Sequence, residues 1–221
     1  MDDASFFSFR LSLQVALLAT VIVAITGGVT AYLLATRRFR GKTAVEVLVT
    51  LPLVLPPTVT GYYLVVLLGR HGWLGSALEA VTGGSIVFTW WAAVLASAIV
   101  AFPLMVRTTQ AAIESVDRTM IDTAYTLGYS ELQTALRVVL PLARRGILAG
   151  VSLAFARAIG EFGATLMLAG NIPGRTDTMP LAIYSAASSG DWGRAHGLVA
   201  VLTLASAALL YAAHKLGRVR W

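Results

Sequence analysis

Of the 221 residues, 57% are hydrophobic and 13% are charged, roughly half the charged share of a soluble domain; with a mean hydropathy of +0.76 this is the composition of an integral membrane protein. There is no cysteine, which excludes disulfides and thiol chemistry. The net charge of +6 does not indicate a nucleic-acid partner, because the basic residues sort by topology. The chain opens with MDDASFFSFR, acidic at Asp2 and Asp3, ahead of a first apolar run over residues 11–36. A cleaved leader has a basic head and a shorter apolar core, so this run is expected to be a retained span. Its Gly27-Gly28 pair suits a bend or close helix packing.

A tight basic turn follows, with Arg37, Arg38, Arg40 and Lys42, and then a second span over 44–69. This span contains Pro52, Pro56 and Pro57, which cannot all lie inside a regular helix, since each removes an N–H and crowds the preceding turn. Broken helix at membrane depth is tolerated where it is buried in protein or lines a cavity. The proline stretch is therefore either the wall of a pathway or a kink in a packed helix. A loop carrying GRHGWLG and a short amphipathic piece around Leu78 leads to a third span, 86–106. Trp90 and Trp91 sit near one interface of it, and Pro103 is expected to bend its far end.

Residues 107–145 form a loop, and the fourth span covers 146–168. Gly146, Gly150, Ala154, Ala158, Gly160 and Gly163 give this span a small-residue face. Such faces let backbones approach closely and suit a central helix, or one at a contact between two copies. Residues 171–194 are irregular; the piece at 179–189 is too short to span and is placed as a surface or re-entrant helix. The fifth span covers 195–213, ahead of Lys215, Arg218 and Arg220. The reading is all-α: one transmembrane domain, 1–221, with five spans.

Five spans put the termini on opposite sides. Twelve of the 17 Lys and Arg residues fall on one side, in the 37–42 turn, the 107–145 loop and the C-terminus. Arg10, Arg70, Arg175 and Arg194 fall on the other. The positive-inside rule then places the N-terminus outside and the 107–145 loop and the C-terminus in the cytoplasm. The remaining cation, Arg157, lies mid-span with Glu161 one turn on. Intramembrane charges face a bundle interior or a wet cavity. The pair is read either as an anion-attracting Arg whose field Glu161 sets, or as a self-neutralising ion pair that locks packing. No catalytic constellation is present: His71, His196 and His214 are scattered without metal-ligand spacing. GRHGWLG lacks the closing Lys-Ser/Thr of a Walker A loop, so no nucleotide site is expected on this chain.

The segment 117–141, DRTMIDTAYTLGYSELQTALRVVLP, is the longest polar-containing stretch between apolar runs. Asp117 suits a helix N-cap, Gly128 a left-handed C′ position, and Ser130-Glu131-Leu132-Gln133 a capping box. Met120, Ala124 and Leu127 share one stripe, the pattern of a short helix offered to a groove, or of an ordinary surface helix pair. Asp122-Thr123-Ala124, three residues, Gly128, nine residues, Val138, one residue, Leu140-Pro141 resembles the "EAA" loop of ABC importer permeases, with Asp122, Thr123 and Val138 departing from Glu, Ala and Ile. The stretches LPLVLPPTVTGYYLVVLLGRHGWLG and FARAIGEFGATLMLAGNIPGRTDTMPLAIY are similar to the molybdate branch of that family, and sulfate and thiosulfate permeases look similar around ARAIGEFG.

The resemblance implies a homodimeric pathway, two cytoplasmic ATPases that hold ATP and Mg, and an extracytoplasmic protein delivering molybdate and tungstate. No cofactor would be bound by this chain. Asp122, Thr123, Ala124, Gly128, Leu140 and Pro141 would carry coupling to the ATPase. Pro52, Pro56, Pro57, Thr58, Gly61, Arg157 and Glu161 would line or gate the path. Some related permeases carry an extra N-terminal span; with ten residues before the first run, the five-span core alone is expected. The competing readings are a sulfate or tungstate importer permease, an ion-gradient transporter, which often shows internal repeats that are not seen here, a channel, and a membrane-bound enzyme.

Overall fold

The computed structural model describes residues 2–217, without the side chains of 212–214, 216 and 217. Arg218 and Arg220, and the side chain of His214, therefore lie outside the described residues. The described chain is helical, with no β-strand in it. α1 spans Asp3–Thr36, capped by Asp2, whose carboxylate accepts the Ser5 N–H. It starts eight residues before the apolar run and, at 34 residues, is about 50 Å long. α2 (Lys42–Val54) and α3 (Pro57–Leu68) are followed by the short α4 (Trp73–Thr82). α5 (Trp90–Glu114) runs through Pro103 and extends eight residues beyond the expected span. α6 is Arg118–Thr126 and α7 is Glu131–Thr134. A π-turn, Ala135–Val139, joins α7 to α8 (Leu140–Ile159); α9 (Gly163–Ala169), α10 (Met179–Ser188) and α11 (Trp192–Gly217) complete the chain.

α5 is the central element, because small residues leave it buried along most of its length: Ala92, Ala93, Ala96, Ser97 and Ala101 are all enclosed. α1 packs along it; a methyl group on Gly27 would lie 3.1 Å from the Met105 side chain, so the Gly27-Gly28 pair serves close packing. α8 packs on the same helix. A Cβ on Gly146 would fall 2.2 Å from the Ala112 Cβ, and one on Gly150 3.1 Å from Thr109 Oγ1. The small-residue face of α8 is thus consumed inside this chain, and is not free for a second copy at those positions. α10 buries Met179, Leu181, Ala182 and Ala186 and packs against α11 and α1; it is no surface helix.

Four helical stretches, Asp3–Thr36, Trp90–Glu114, Glu131–Ile159 and Trp192–Tyr211, are long and apolar enough to cross a membrane. α2 and α3 pass the same test only together, as a broken span or a re-entrant loop bent by 116° at Leu55–Pro56. Pro56 and Pro57 lack the N–H groups that would continue α2, so the helix stops at Val54 and restarts with Pro57 at its first position, where the missing donor does no harm. The start of α2 is tied to the Glu114 end of α5, where Gln110 donates to Glu46 at 3.2 Å and Arg107 Nε donates to Thr50 at 3.0 Å. α3 runs parallel to α9, whose Leu168 carbonyl accepts the Phe88 N–H at the other end of α5. The bent pair therefore connects the two ends of α5.

Candidate functional site

The 117–141 segment folds almost entirely on its own chemistry. Asp117 Oδ1 accepts the Thr119 N–H at 2.9 Å and starts α6. These bonds hold the Asp117 carboxyl below its ordinary range. The helix ends in a Schellman motif: the Tyr129 N–H reaches the Ala124 carbonyl and the Gly128 N–H the Tyr125 carbonyl, both at 3.0 Å, with Gly128 at φ +83°. Ser130 and Gln133 then form both halves of the capping box. Within the stripe Met120, Ala124 and Leu127, only Ala124 is buried, so α6 rests on the protein through Ala124. Met120, Tyr125 and Leu127 are exposed, as are Asp122 and Thr123.

The expected second loop helix is not a separate element. α7 passes through the π-turn into α8 as one 29-residue stretch. Pro141 explains the widened turn: it has no N–H for the Arg137 carbonyl, and its ring would crowd that carbonyl in a regular α-turn. Leu140 and Pro141 are thus the base of the membrane helix itself. Between the 37–42 turn and the loop lies a hollow of about 520 Å³, lined in part by Tyr32, Arg38, Asp122 and Tyr125. The Arg37–Glu131 ion pair bridges its two sides.

Arg157 stands sixteen residues beyond Pro141 on this helix, roughly 24 Å along its axis. It lies about 18 Å along the helix from Arg145, more than half of the roughly 30 Å thickness of a hydrocarbon layer. α8 ends two residues later at Ile159. Glu161 is buried, 3% exposed, and its Oε1 accepts the Ala164 N–H at 2.8 Å, so this carboxylate caps α9. Its Oε2 lies 2.8 Å from Arg157 Nη2. The ion pair anticipated from the i, i+4 spacing is present, and Glu161 holds the helix break as well.

The two helix breaks pack against each other. A Cβ on Gly163 would lie 3.1 Å from Pro57 Cβ and from Thr58 N, and one on Gly61 2.7 Å from Met167 Cβ and 2.8 Å from Ala164 Cα. Pro57, Thr58 and Gly61 are thereby brought to the turn that Glu161 caps. Pro52 lies apart, beside Phe102, Ile99 and Thr26 on the other side of the bend. The partners missed in the sequence are Ala164 and Met167, whose only prior signal was the small residue at Gly163. Thr60, buried on α3, has a hydroxyl with no hydrogen-bond partner among the described atoms. Also unanticipated is a clamp between α1 and the start of α10, in which Ser8 donates to the buried Asp177 carboxylate at 3.1 Å and Ser12 accepts the Met179 N–H at 2.7 Å. Among the described residues no group of three His, Cys, Asp or Glu stands where it could hold a metal ion.

A central α5 flanked by α1 and α8, a sharply bent helix pair, and a short helix held off the bundle end define an α-helical protein with several helices of membrane length. Residues 24–216 match the family model described as binding-protein-dependent transport system inner membrane component, and the chain belongs to that family. It is similar to the molybdenum transport system permease protein ModB of Escherichia coli K12, 41% identical over 212 residues that cover 95% of this chain and 93% of the relative. Similarity to the sulfate transport system permease protein CysT of Salmonella typhimurium is lower, 33% over 209 residues, 95% of this chain and 75% of the relative. In fold it matches a bacterial alginate ABC transporter solved in complex with a pentasaccharide-bound periplasmic protein, with a TM-score of 0.80 at 16% identity, over 99% of this chain and 80% of that one.

Proposed function

We propose that this chain is the membrane permease of an ATP-driven importer for molybdate. The observation that carries the ATP-driven part is α6. It is closed at both ends by its own residues, seated by Ala124, and presents Met120, Tyr125 and Leu127 outward, which suits insertion into a groove on an ATPase. Its sequel is continuous with α8, so a movement of the loop end is transmitted along one helix to Arg157. Asp122, Thr123, Ala124, Gly128, Leu140 and Pro141 are assigned to coupling on this ground. ATP and Mg belong to the two ATPase subunits, and no cofactor is assigned to this chain.

The choice of molybdate over sulfate is supported by the higher identity and fuller coverage of the molybdenum permease. The pathway is assigned to the region where the two breaks meet, with Pro56, Pro57, Thr58 and Gly61 on one side and Arg157 and Glu161 on the other; Pro52, across the bend in α2, is assigned to its approach. Arg157 keeps 27% of its side chain uncovered at mid-membrane depth. A guanidinium there faces a wet pathway or a second copy, not lipid tails. A homodimer that places this face at the pathway, an extracytoplasmic binding protein, and an N-terminus outside with the loop inside complete the proposal.

The test is reconstitution in proteoliposomes with the cognate ATPase and binding protein. ATP hydrolysis stimulated by molybdate, and abolished by Gly128→Pro, is the expected result. Stimulation by sulfate alone overturns the substrate. Failure to co-purify with an ATPase overturns the ATP-driven reading and favours a gradient-driven transporter.

A further inference from the structure

Arg157 and Glu161 are held unequally. Glu161 is fixed by its Oε1 bond to the Ala164 N–H, and its side chain is 1% exposed. Its Oε2 approaches Arg157 Nη2 to 2.8 Å, yet no N–H is aimed at it, and it has no aligned hydrogen-bond donor. The contact is charge against charge. Arg157, a quarter uncovered, carries a planar fork of donors suited to two oxygens of one oxyanion, and Glu161 offers it a single, poorly directed one.

Resting on the reading of this chain as an oxyanion permease, we propose that Arg157 is the transient ligand of the anion inside the membrane and that Glu161 is its built-in competitor. A tetrahedral dianion draws the guanidinium off Oε2 while Oε1 stays on the Ala164 N–H. The displaced oxygen is left buried beside a second negative charge, which weakens binding and favours release. When the anion leaves, Glu161 recaptures Arg157, so the cation is never left bare at mid-membrane depth. The α9 cap is what keeps the competitor within reach throughout the cycle.

The experiment compares molybdate binding and transport by the intact permease–ATPase complex carrying Glu161→Gln, Arg157→Lys or neither. Gln keeps an oxygen for the Ala164 N–H and loses the charge. Glu161→Gln is expected to bind molybdate on the order of tenfold more tightly, with KM and kcat falling together because release slows. Perrhenate, a tetrahedral monoanion, gains less, since it is repelled less by Glu161. Arg157→Lys keeps the charge, loses the fork, and raises KM severalfold at unchanged thermal stability. Unchanged affinity and KM in both variants, with lowered thermal stability, make the pair a packing pin and overturn the proposal. If Glu161→Gln fails to assemble with the ATPase, the KM of Arg157→Lys decides alone. If the wild-type complex moves sulfate and not molybdate, the substrate reading falls, and the same comparison run with sulfate still decides the competitor. A complex that moves neither anion overturns both.

Discussion

The loop around α6 and the meeting of the two helix breaks are both places where helices stop, and they stop for opposite reasons. In the loop every stop is written locally. Asp117, Gly128, Ser130 and Gln133 satisfy helix ends within a few residues, and the apolar side chains that remain point outward. At the breaks the prolines and glycines only permit a stop. What fixes it comes from elsewhere in the chain: Gly163 lies against Pro57 and Thr58, Gly61 against Ala164 and Met167. A locally closed element can be gripped and moved as a unit by a partner. A stop built from two segments a hundred residues apart moves only if both move, which suits a gate.

Substitutions at the breaks should therefore be costly and spread widely, and those in the loop milder and confined. The largest expected effect is Glu161→Ala, which removes the α9 cap and leaves Arg157 without its counter-charge; breaking a buried pair costs about 3–5 kcal/mol. Thermal unfolding in detergent should show it, and Glu161→Gln should recover part of the loss by restoring the cap. Gly61→Val comes next. Its Cβ would meet backbone at 2.8 Å, so α3 and α9 must part, at about 1–3 kcal/mol. A thermal midpoint unchanged by Gly61→Val would show that the breaks do not depend on each other. In the loop, Ser130→Ala removes one half of a capping box and costs about 0.5–2 kcal/mol. Its signature is faster hydrogen exchange in α7 with α3 and α9 unaffected.

The smallest effects are in pH, and they run in opposite directions. Asp117 is held low by its bonds to Thr119. Its cap is fully formed above the ordinary carboxylate range and is lost as pH falls through its lowered pKa. Asp177, clamped to Ser8, is raised by burial, against the lowering pull of that bond and of Arg194. Its protonated form is the one the folded clamp prefers. Stability is greatest below the ordinary carboxylate range and declines as pH rises through the raised pKa. Exchange at the Met179 amide should quicken across that window and lose the dependence in Asp177→Asn.

Much of the loop was legible because its determinants are close in sequence. The capping residues and the left-handed glycine act over three to five positions, and their spacing alone names their role. The reading failed where a second segment had to be known. The small residues of α8 signal close packing, but not that α5 is the partner at Gly146 and Gly150, through Ala112 and Thr109. The reading separated α7 from the span that it begins, because a π-turn before Pro141 is invisible to a pattern of period 3.6. Pro52 lies across the 116° bend from Pro56 and Pro57, a separation that a run of prolines in the sequence does not show. By itself the sequence determined the class, the presence of several apolar helices of membrane length and the capping of α6, since hydropathy and capping are properties of neighbouring residues. Only the tertiary structure decided that two helix breaks meet and that Glu161 holds both a helix end and Arg157. Those contacts join residues about a hundred positions apart, and no local pattern records which of many such approaches the packing selects.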